Sequence, residues 1–225
     1  MDFRTISTEV LVIGGGVAGL RAAVAAAELG TEVAIVSKPS CASPEIMGFN
    51  APVMPGDSKE LYFSDIEQSG YGINDSRLAM VLSEHVLDEV TYLEGLGLEF
   101  DRDAEGRYLP IHTLGTAYPR LIKTGVSSGS AEMRILKTRC GELGVKQYAP
   151  VDILGLLVSR GHVLGAYGLD LGSGELLRFT ASAVVLATGG CGAMQSFSTY
   201  PKALTGDGYA MAYEAGARLT DMEFQ

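Results

Sequence analysis

The chain has few of the residues that staple or ligate. Among 225 residues there are three cysteines, Cys41, Cys140 and Cys191, far apart and with no C-x-x-C pair. That spacing gives no zinc or iron–sulfur site, so no metal is expected, and it suits a reducing compartment in which each thiol is a small buried or half-buried residue. No apolar run approaches the roughly 18 residues of a membrane span, and residues 1–7 carry no signal-peptide apolar core. Basic charge is also scarce: 17 Lys and Arg against 27 Asp and Glu leave a net charge of −10. Nucleic acid and anionic membrane surfaces are thereby excluded as main partners. These absences point to a cytoplasmic protein. With 47% apolar residues the chain has material for a real core, in one large domain or two small ones.

What the chain has in abundance is glycine, 29 in all. The decisive group stands in residues 10–19, V-L-V-I-G-G-G-V-A-G. Gly14, Gly16 and Gly19 make a G-x-G-x-x-G between an apolar strand (8–13) and a helix former (20–29) that Gly30 stops. Residues 31–36, T-E-V-A-I-V, form a second buried strand. In such a βαβ unit, here 8–37, the first glycine turns the chain tightly. The second lets a pyrophosphate touch backbone, and the third lets helix lie on sheet. The helix from Val17 aims free N–H groups and a positive dipole end at the phosphates. An NAD-type unit places Asp or Glu after the second strand. This chain has Ser37 and then Lys38, so a plain NAD dehydrogenase is disfavoured, although the Ser37 hydroxyl can still bond a ribose. Lys38 either faces solvent or lies along the adenosine end.

Residues 40–56 form a Pro-, Ser- and Gly-rich loop, longer than a βα connection needs, that leaves the edge of the sheet where ligands sit. A helix capped by Asp57 or Ser58 runs to Ser69. A longer one opens at Asn74 or Asp75 with a stripe of Leu78, Val81, Leu82, Val86, Val90, Leu93 and Leu96, the spacing of a buried helix face. His85 falls beside that stripe as a packed or surface residue. Residues 100–108 read as a polar hairpin, 112–129 as an irregular segment and 130–143 as a helix, which completes a helical excursion over 57–143. Short strands follow at 145–148, 153–159, 163–170 and 175–180, the last three as an antiparallel meander (151–181) joined by glycine turns. An apolar strand at 183–187 runs into Thr188-Gly189-Gly190, and a helix opens near Asp207, well placed as its N-cap, for a return strand and helix over 183–217. The M-E-F-Q at 222–225 reads as a stop inside an element.

This order, α/β with one Rossmann-like βαβ unit, a helical excursion, a β-meander and a strand ending A-T-G, is that of a glutathione-reductase-type FAD-binding domain. Residues 12–19, 36–38, 100–102 with Gly106, 119–120, 184–190 and 205–224 (T-G-D-G-Y-A-M-A-Y-E-A-G-A-R-L-T-D-M-E-F) resemble the flavoprotein subunit of succinate dehydrogenase and fumarate reductase, a family that includes L-aspartate oxidase. The resemblance covers the N-terminal part of a family member, without its capping domain and C-terminal flavin segment.

The resemblance implies FAD as cofactor, held at the pyrophosphate by Gly14, Gly16, Val17, Ala18 and Gly19. Ser37 and Lys38 would meet the adenosine end, and Ser43 and Gly48 would follow the ribityl chain and flavin. Ala149 or Pro150 would offer backbone to the adenine, while Thr188, Gly189 and Asp207 complete the pocket. Members with covalent flavin carry a histidine in the stretch that here is 41–51; none stands there, so the FAD is expected to be non-covalent. Many members read G-H-S where this chain has Gly115-Thr116-Ala117. Thr116 and Arg120 are the substrate-side candidates, and no catalytic residue is assigned. Thr113 replaces a glutamate of the aspartate oxidases, against that activity. The family moves a hydride between flavin and a small carboxylate. It implies membrane association through partners, with electrons passed to an iron–sulfur subunit. The rival readings are a non-catalytic flavin-binding module, a component completed by another chain, or an L-aspartate oxidase-like enzyme.

Overall fold

The computed structural model describes residues 3–125 and 127–224. Val126 of the irregular segment, Gln225 of the closing tetrapeptide, Met1 and Asp2 lie outside the described residues. In chain order the elements are β1 (Arg4–Ile13), α1 (Val17–Glu28), β2 (Val33–Val36), β3 (Phe49–Asn50), α2 (Lys59–Ser69), α3 (Ser76–Gly95), β4 (Leu121–Ile122), α4 (Ser128–Glu142), β5 (Lys146–Tyr148), β6 (Val151–Ser159), β7 (His162–Asp170), β8 (Leu176–Leu186) and α5 (Asp207–Glu214). They divide into two compact units, Met1–Ser43 with Leu136–Gln225, and Pro44–Ile135.

The first unit is built on a six-stranded sheet ordered β5-β2-β1-β8-β7-β6. β1 lies between two parallel neighbours, Val12 opposite Ile35 of β2 and Val185 of β8, and is covered on both faces at its C-terminal end. Leu11, Val12 and Ile13 are therefore all buried, as a continuous apolar run in a parallel sheet requires. Leu11, Ile13, Ala34, Val36, Ile153, Leu177 and Phe179 pack with Met211 of α5 into one cluster. On α1, Leu20, Ala23 and Val24 are buried.

Two expectations for the sheet are revised. The meander's last strand and the apolar return strand are one element, β8. It pairs antiparallel with β7 through Leu176–Thr180 and parallel with β1 from Leu177 to Leu186. Its apolar end is not enclosed, since Val185 and Leu186 remain exposed. The first strand also starts earlier than the βαβ pattern marks, at Arg4, because β8 supplies partners down to Leu177.

The second unit contains α2 and α3 and the short antiparallel pair β3–β4, Phe49 opposite Ile122. Ser58 caps α2 by accepting the Leu61 N–H at 3.2 Å, and Asp75 caps α3 by accepting the Arg77 N–H at 2.9 Å, each satisfying a backbone donor left free at a helix start. The buried stripe of α3 is Ala79, Ser83, Val86, Val90 and Leu93. Leu78, Val81 and Leu82 are instead 69%, 55% and 48% exposed. The N-terminal half of this helix is apolar nearly all round, so periodicity alone permits two overlapping stripes, and the one with small Ala79 and Ser83 faces inward.

Candidate functional site

The first unit brings most of the candidate residues to the C-terminal ends of β1, β2 and β8. Gly14 leaves β1 with φ +119°, and a Cβ there would stand 2.1 Å from the Ala187 carbonyl oxygen. A Cβ on Gly19 would stand 1.8 Å from the Gly14 carbonyl oxygen. Both clashes are with backbone, so these two glycines are dictated by the turn and by the seat of α1. Gly16 differs: its Cβ would meet only the Ser43 hydroxyl, at 2.7 Å, and it keeps the loop surface flat. Gly16 is also the N-cap of α1 and has no side chain to cap it. Val17, the first helical residue, donates its N–H to Ser43 Oγ at 2.9 Å. Ser43 thus reaches the helix start as an acceptor and retains its own hydroxyl proton for donation. Ala18 and Gly19 follow in the first turn. The glycine-walled start of α1, with Ser43 Oγ on its first N–H, fits a pyrophosphate.

Ser37 follows β2. Its side chain lies against Gly15, where a Cβ would meet Ser37 Oγ at 2.8 Å. Its backbone is bonded on both sides of Ala149–Pro150: the Ser37 N–H donates to the Tyr148 carbonyl at 3.0 Å, and the Val151 N–H to the Ser37 carbonyl at 2.9 Å. Ser37, Ala149 and Pro150 are therefore brought together, the last two through a cis peptide bond. At the end of β8, Thr188 sits so close to α5 that a Cβ on Gly208 would be 1.9 Å from its Oγ1. Gly189 takes φ +75° beside Leu204.

Lys38 and Asp207 meet. Lys38 Nζ lies 2.6 Å from Asp207 Oδ2, 3.3 Å from Asp152 Oδ1 and 3.4 Å from Thr205 Oγ1. Burial works to lower the Lys38 ammonium, but the Asp207 hydrogen bond and the two carboxylate charges outweigh it and raise the pKa above the ordinary value. Burial works to raise Asp207, yet the bonds from Lys38 and Thr205 hold its carboxyl below the usual range. Asp207 does not cap α5: the N-cap is Gly206 at φ +76°, and Asp207 is the first helical residue. Its side chain is drawn to Lys38 instead. Asp152 and Thr205 are absent from the sequence-derived set. Asp152 reads as one more polar residue in an alternating strand, and nothing local marks it as a partner of Lys38.

Gly48, Thr116 and Arg120 lie in the second unit. A Cβ on Gly48 would be 2.1 Å from the Ile122 carbonyl oxygen, so the close approach of the chain there requires glycine. Thr116 Oγ1 donates to the Thr113 carbonyl at 2.9 Å, and the Thr116 carbonyl lies 2.7 Å from His112 Nε2. Arg120 is wholly buried. Its Nε and Nη2 donate to Asp57 at 2.7 Å each and its Nη1 to Asp65 at 2.5 Å, with Tyr62 against the guanidinium. Those two carboxylates occupy the guanidinium of this substrate-side candidate. Asp65 also accepts the Ala117 N–H at 2.7 Å, so Arg120 holds the Thr116 segment through Asp65. Among the described residues no group of His, Cys, Asp and Glu is arranged to hold a metal ion.

The model of the FAD binding domain family matches residues 9–225. A fumarate reductase (CoM/CoB) component of Methanothermobacter marburgensis is 35% identical over 99% of this chain and 42% of its own length. An L-aspartate oxidase of Streptomyces coelicolor is 32% identical over 97% of this chain and 39% of its own. Among solved structures, an E. coli quinol fumarate reductase FrdA superposes with a TM-score of 0.94 at 29% identity, over 99% of this chain and 39% of that one. The Mycobacterium smegmatis Sdh1 complex gives 0.89 at 33% identity, over 96% and 40%. The chain spans about two fifths of the length of the relatives it matches. It belongs to the FAD binding domain family of flavoprotein oxidoreductases, and FAD is its cofactor.

Proposed function

We propose that the chain is the FAD-binding part of a succinate dehydrogenase- or fumarate reductase-like oxidoreductase acting on a small carboxylate. The observation that carries this reading is the glycine-walled start of α1 beside Ser37, Thr188 and Asp207, in a chain 35% identical to a fumarate reductase component. FAD, when bound, supplies the ring that accepts or donates the hydride. The protein binds and orients it. Gly14, Gly16, Val17, Ala18 and Gly19 would form the turn that receives the pyrophosphate, with the Gly14 N–H held by the Val36 carbonyl at 2.8 Å and the Val17 N–H by Ser43 Oγ at 2.9 Å, so that Ser43 would add a hydroxyl donor. Ser37 takes a ribose hydroxyl, and backbone at Ala149 or Pro150 takes the adenine edge. Thr188, Gly189 and Asp207 would close the pocket. Thr116 is the polar candidate on the substrate side, and Arg120 positions its segment.

The FAD is held non-covalently, since no histidine stands in 41–51. An iron–sulfur subunit would carry the electrons onward, a reading supported by relatives whose solved forms are complexes. A cytoplasmic site, with membrane association only through partners, is in keeping with described helices none of which is long and apolar enough to cross a bilayer.

The test uses the full-length protein. Acid precipitation should leave the flavin band in the supernatant, and fumarate should reoxidise the reduced flavin. Flavin in the pellet would refute non-covalent binding. Reduction by L-aspartate would assign the oxidase activity of the Streptomyces relative instead. FAD that binds but responds to neither substrate would identify a binding module.

A further inference from the structure

Thr116 is held by bonds to its neighbours on either side. Asp65 and Ser69 stand one turn apart on α2, and residues four apart on a helix share a face. Ser69 Oγ donates to the Gly115 carbonyl at 3.2 Å, and the Ala117 N–H donates to Asp65 Oδ2 at 2.7 Å. Between these two bonds the Thr116 carbonyl lies 2.7 Å from His112 Nε2. Gly115 takes φ +77°, and a Cβ there would meet Ser69 Oγ at 2.8 Å, so the turn into Thr116 is also fixed. The backbone around Thr116 is thereby set without any help from its own side chain.

That side chain has one proton to give, and the proton is spent. Thr116 Oγ1 donates to the Thr113 carbonyl at 2.9 Å. A hydroxyl has one donor and two acceptor lone pairs, and among the described residues nothing donates to Thr116 Oγ1. Thr116 is half-buried, so a ligand can reach it, and it meets that ligand as an acceptor. To donate to a carboxylate oxygen it would have to release the Thr113 carbonyl, forfeiting a bond worth up to about tenfold in affinity. To accept from an O–H or N–H it gives up nothing. Charge acts in the same direction. One guanidinium, that of Arg120, answers two carboxylates, Asp57 and Asp65, and Asp65 is bonded directly to the Thr116 segment. A substrate carboxylate brought there meets surplus negative charge, whereas a hydroxyl or an ammonium does not.

We propose that Thr116 is a specificity residue whose oxygen accepts a hydrogen bond from a hydroxyl or amino group of the substrate and does not bind its carboxylate. This rests on the reading above that Thr116 lies on the substrate side. The favoured substrate is then a small hydroxy or amino acid rather than an unsubstituted dicarboxylate. Succinate, L-malate and L-aspartate isolate the difference, since they share a four-carbon dicarboxylate frame and differ in bearing a hydrogen, a hydroxyl or an ammonium at one carbon.

The experiment measures the affinity of the FAD-loaded full-length protein for these three acids by titration calorimetry. We expect L-malate or L-aspartate to bind about tenfold more tightly than succinate. Malate in front identifies a hydroxyl as the donor, aspartate in front an ammonium, and either supports the proposal. Thr116→Val keeps the shape without the oxygen and should abolish the advantage while succinate binds as before. Thr116→Ser should preserve it, and Thr116→Ala carries the test if the valine variant does not fold. Equal affinity for the three acids in the wild type would overturn the proposal. So would an advantage that survives in Thr116→Val and Thr116→Ala. Weaker FAD binding in those variants with the advantage intact would show that Thr116 faces the cofactor, and would overturn it too. Protein that binds FAD but none of the three acids would overturn the small-carboxylate reading, and this inference with it.

Discussion

Arg120 grips Asp57 as a buried fork: Nε on Oδ2 and Nη2 on Oδ1, both at 2.7 Å, with both side chains shut away from solvent. Such a pair is costly to split, because the partner left behind is a buried charge with nothing to answer it. Arg120→Ala would strand Asp57 and deprive Asp65 of its Nη1 donor, so we expect a loss of about 3–5 kcal/mol in a urea unfolding titration. Arg120→Lys should recover only part of that, since an ammonium cannot reproduce the two parallel bonds. A residue that mainly clamped substrate would leave the unfolding midpoint in place.

Glu132 on α4 poses the opposite problem. It is 4% exposed, its Oε1 has no hydrogen-bond partner among the described residues, and burial pushes its carboxyl up to about 7 from an ordinary 4.5. Below pH 4.5 both folded and unfolded chains hold the proton, and there is no penalty. Between 4.5 and 7 the unfolded chain releases a proton that the folded one retains, so stability falls as pH rises; above 7 the penalty is constant at about 3 kcal/mol. Glu132→Gln keeps the shape without the ionisation. Thermal unfolding followed from pH 5 to 8 should show the wild type losing stability across that range, while the variant stays nearly level and overtakes it at pH 8.

The βαβ unit was legible in the sequence because its signals are local: three glycines at fixed spacing, bounded by apolar runs whose length matches a strand and a helix. β8 was not. Its first half alternates as an antiparallel strand does, and its second half is a continuous apolar run. One strand that lies between β7 and β1 along its first part and keeps only β1 along its second therefore reads as two. The same limit applies at the site. Gly14, Ser37 and Thr188 announce themselves at strand ends, but the Lys38–Asp152–Asp207 cluster joins residues distant in sequence. The buried ion pairs of Arg120 were not legible for a related reason, since its partners Asp57 and Asp65 stand far from it in sequence.

Cys140 should be chemically silent in the native protein. It is fully buried, its thiol donates to the Leu20 carbonyl at 3.8 Å, and burial pushes it up to about 11. The reactive species is the thiolate, which is then scarce at pH 8 and inaccessible as well. Cys41 and Cys191 are half-buried. A thiol reagent at pH 8 should modify two cysteines in the folded protein and the third only after denaturant is added. Rapid modification of all three would contradict the packing of α4.

The glycines of the first turn should separate by the atom each one faces. In Gly14→Ala the new methyl would meet the Ala187 carbonyl oxygen at 2.1 Å, at a φ of +119° that side chains rarely adopt; in Gly19→Ala it would meet the Gly14 carbonyl oxygen at 1.8 Å. Backbone must move in both, pulling β1 from β8 or α1 from the turn, and a cost of several kcal/mol is expected. Gly16→Ala meets only the Ser43 hydroxyl, at 2.7 Å, and a serine rotamer can yield, so the fold should survive with a loss within about 1 kcal/mol. The methyl would nevertheless stand on the surface meant for the pyrophosphate and displace the hydroxyl that Val17 bonds. FAD affinity should therefore fall at least tenfold in Gly16→Ala while its unfolding midpoint stays close to wild type, whereas Gly14→Ala and Gly19→Ala lose both together. If Gly16→Ala bound FAD as tightly as the wild type, the start of α1 would not be where the pyrophosphate sits.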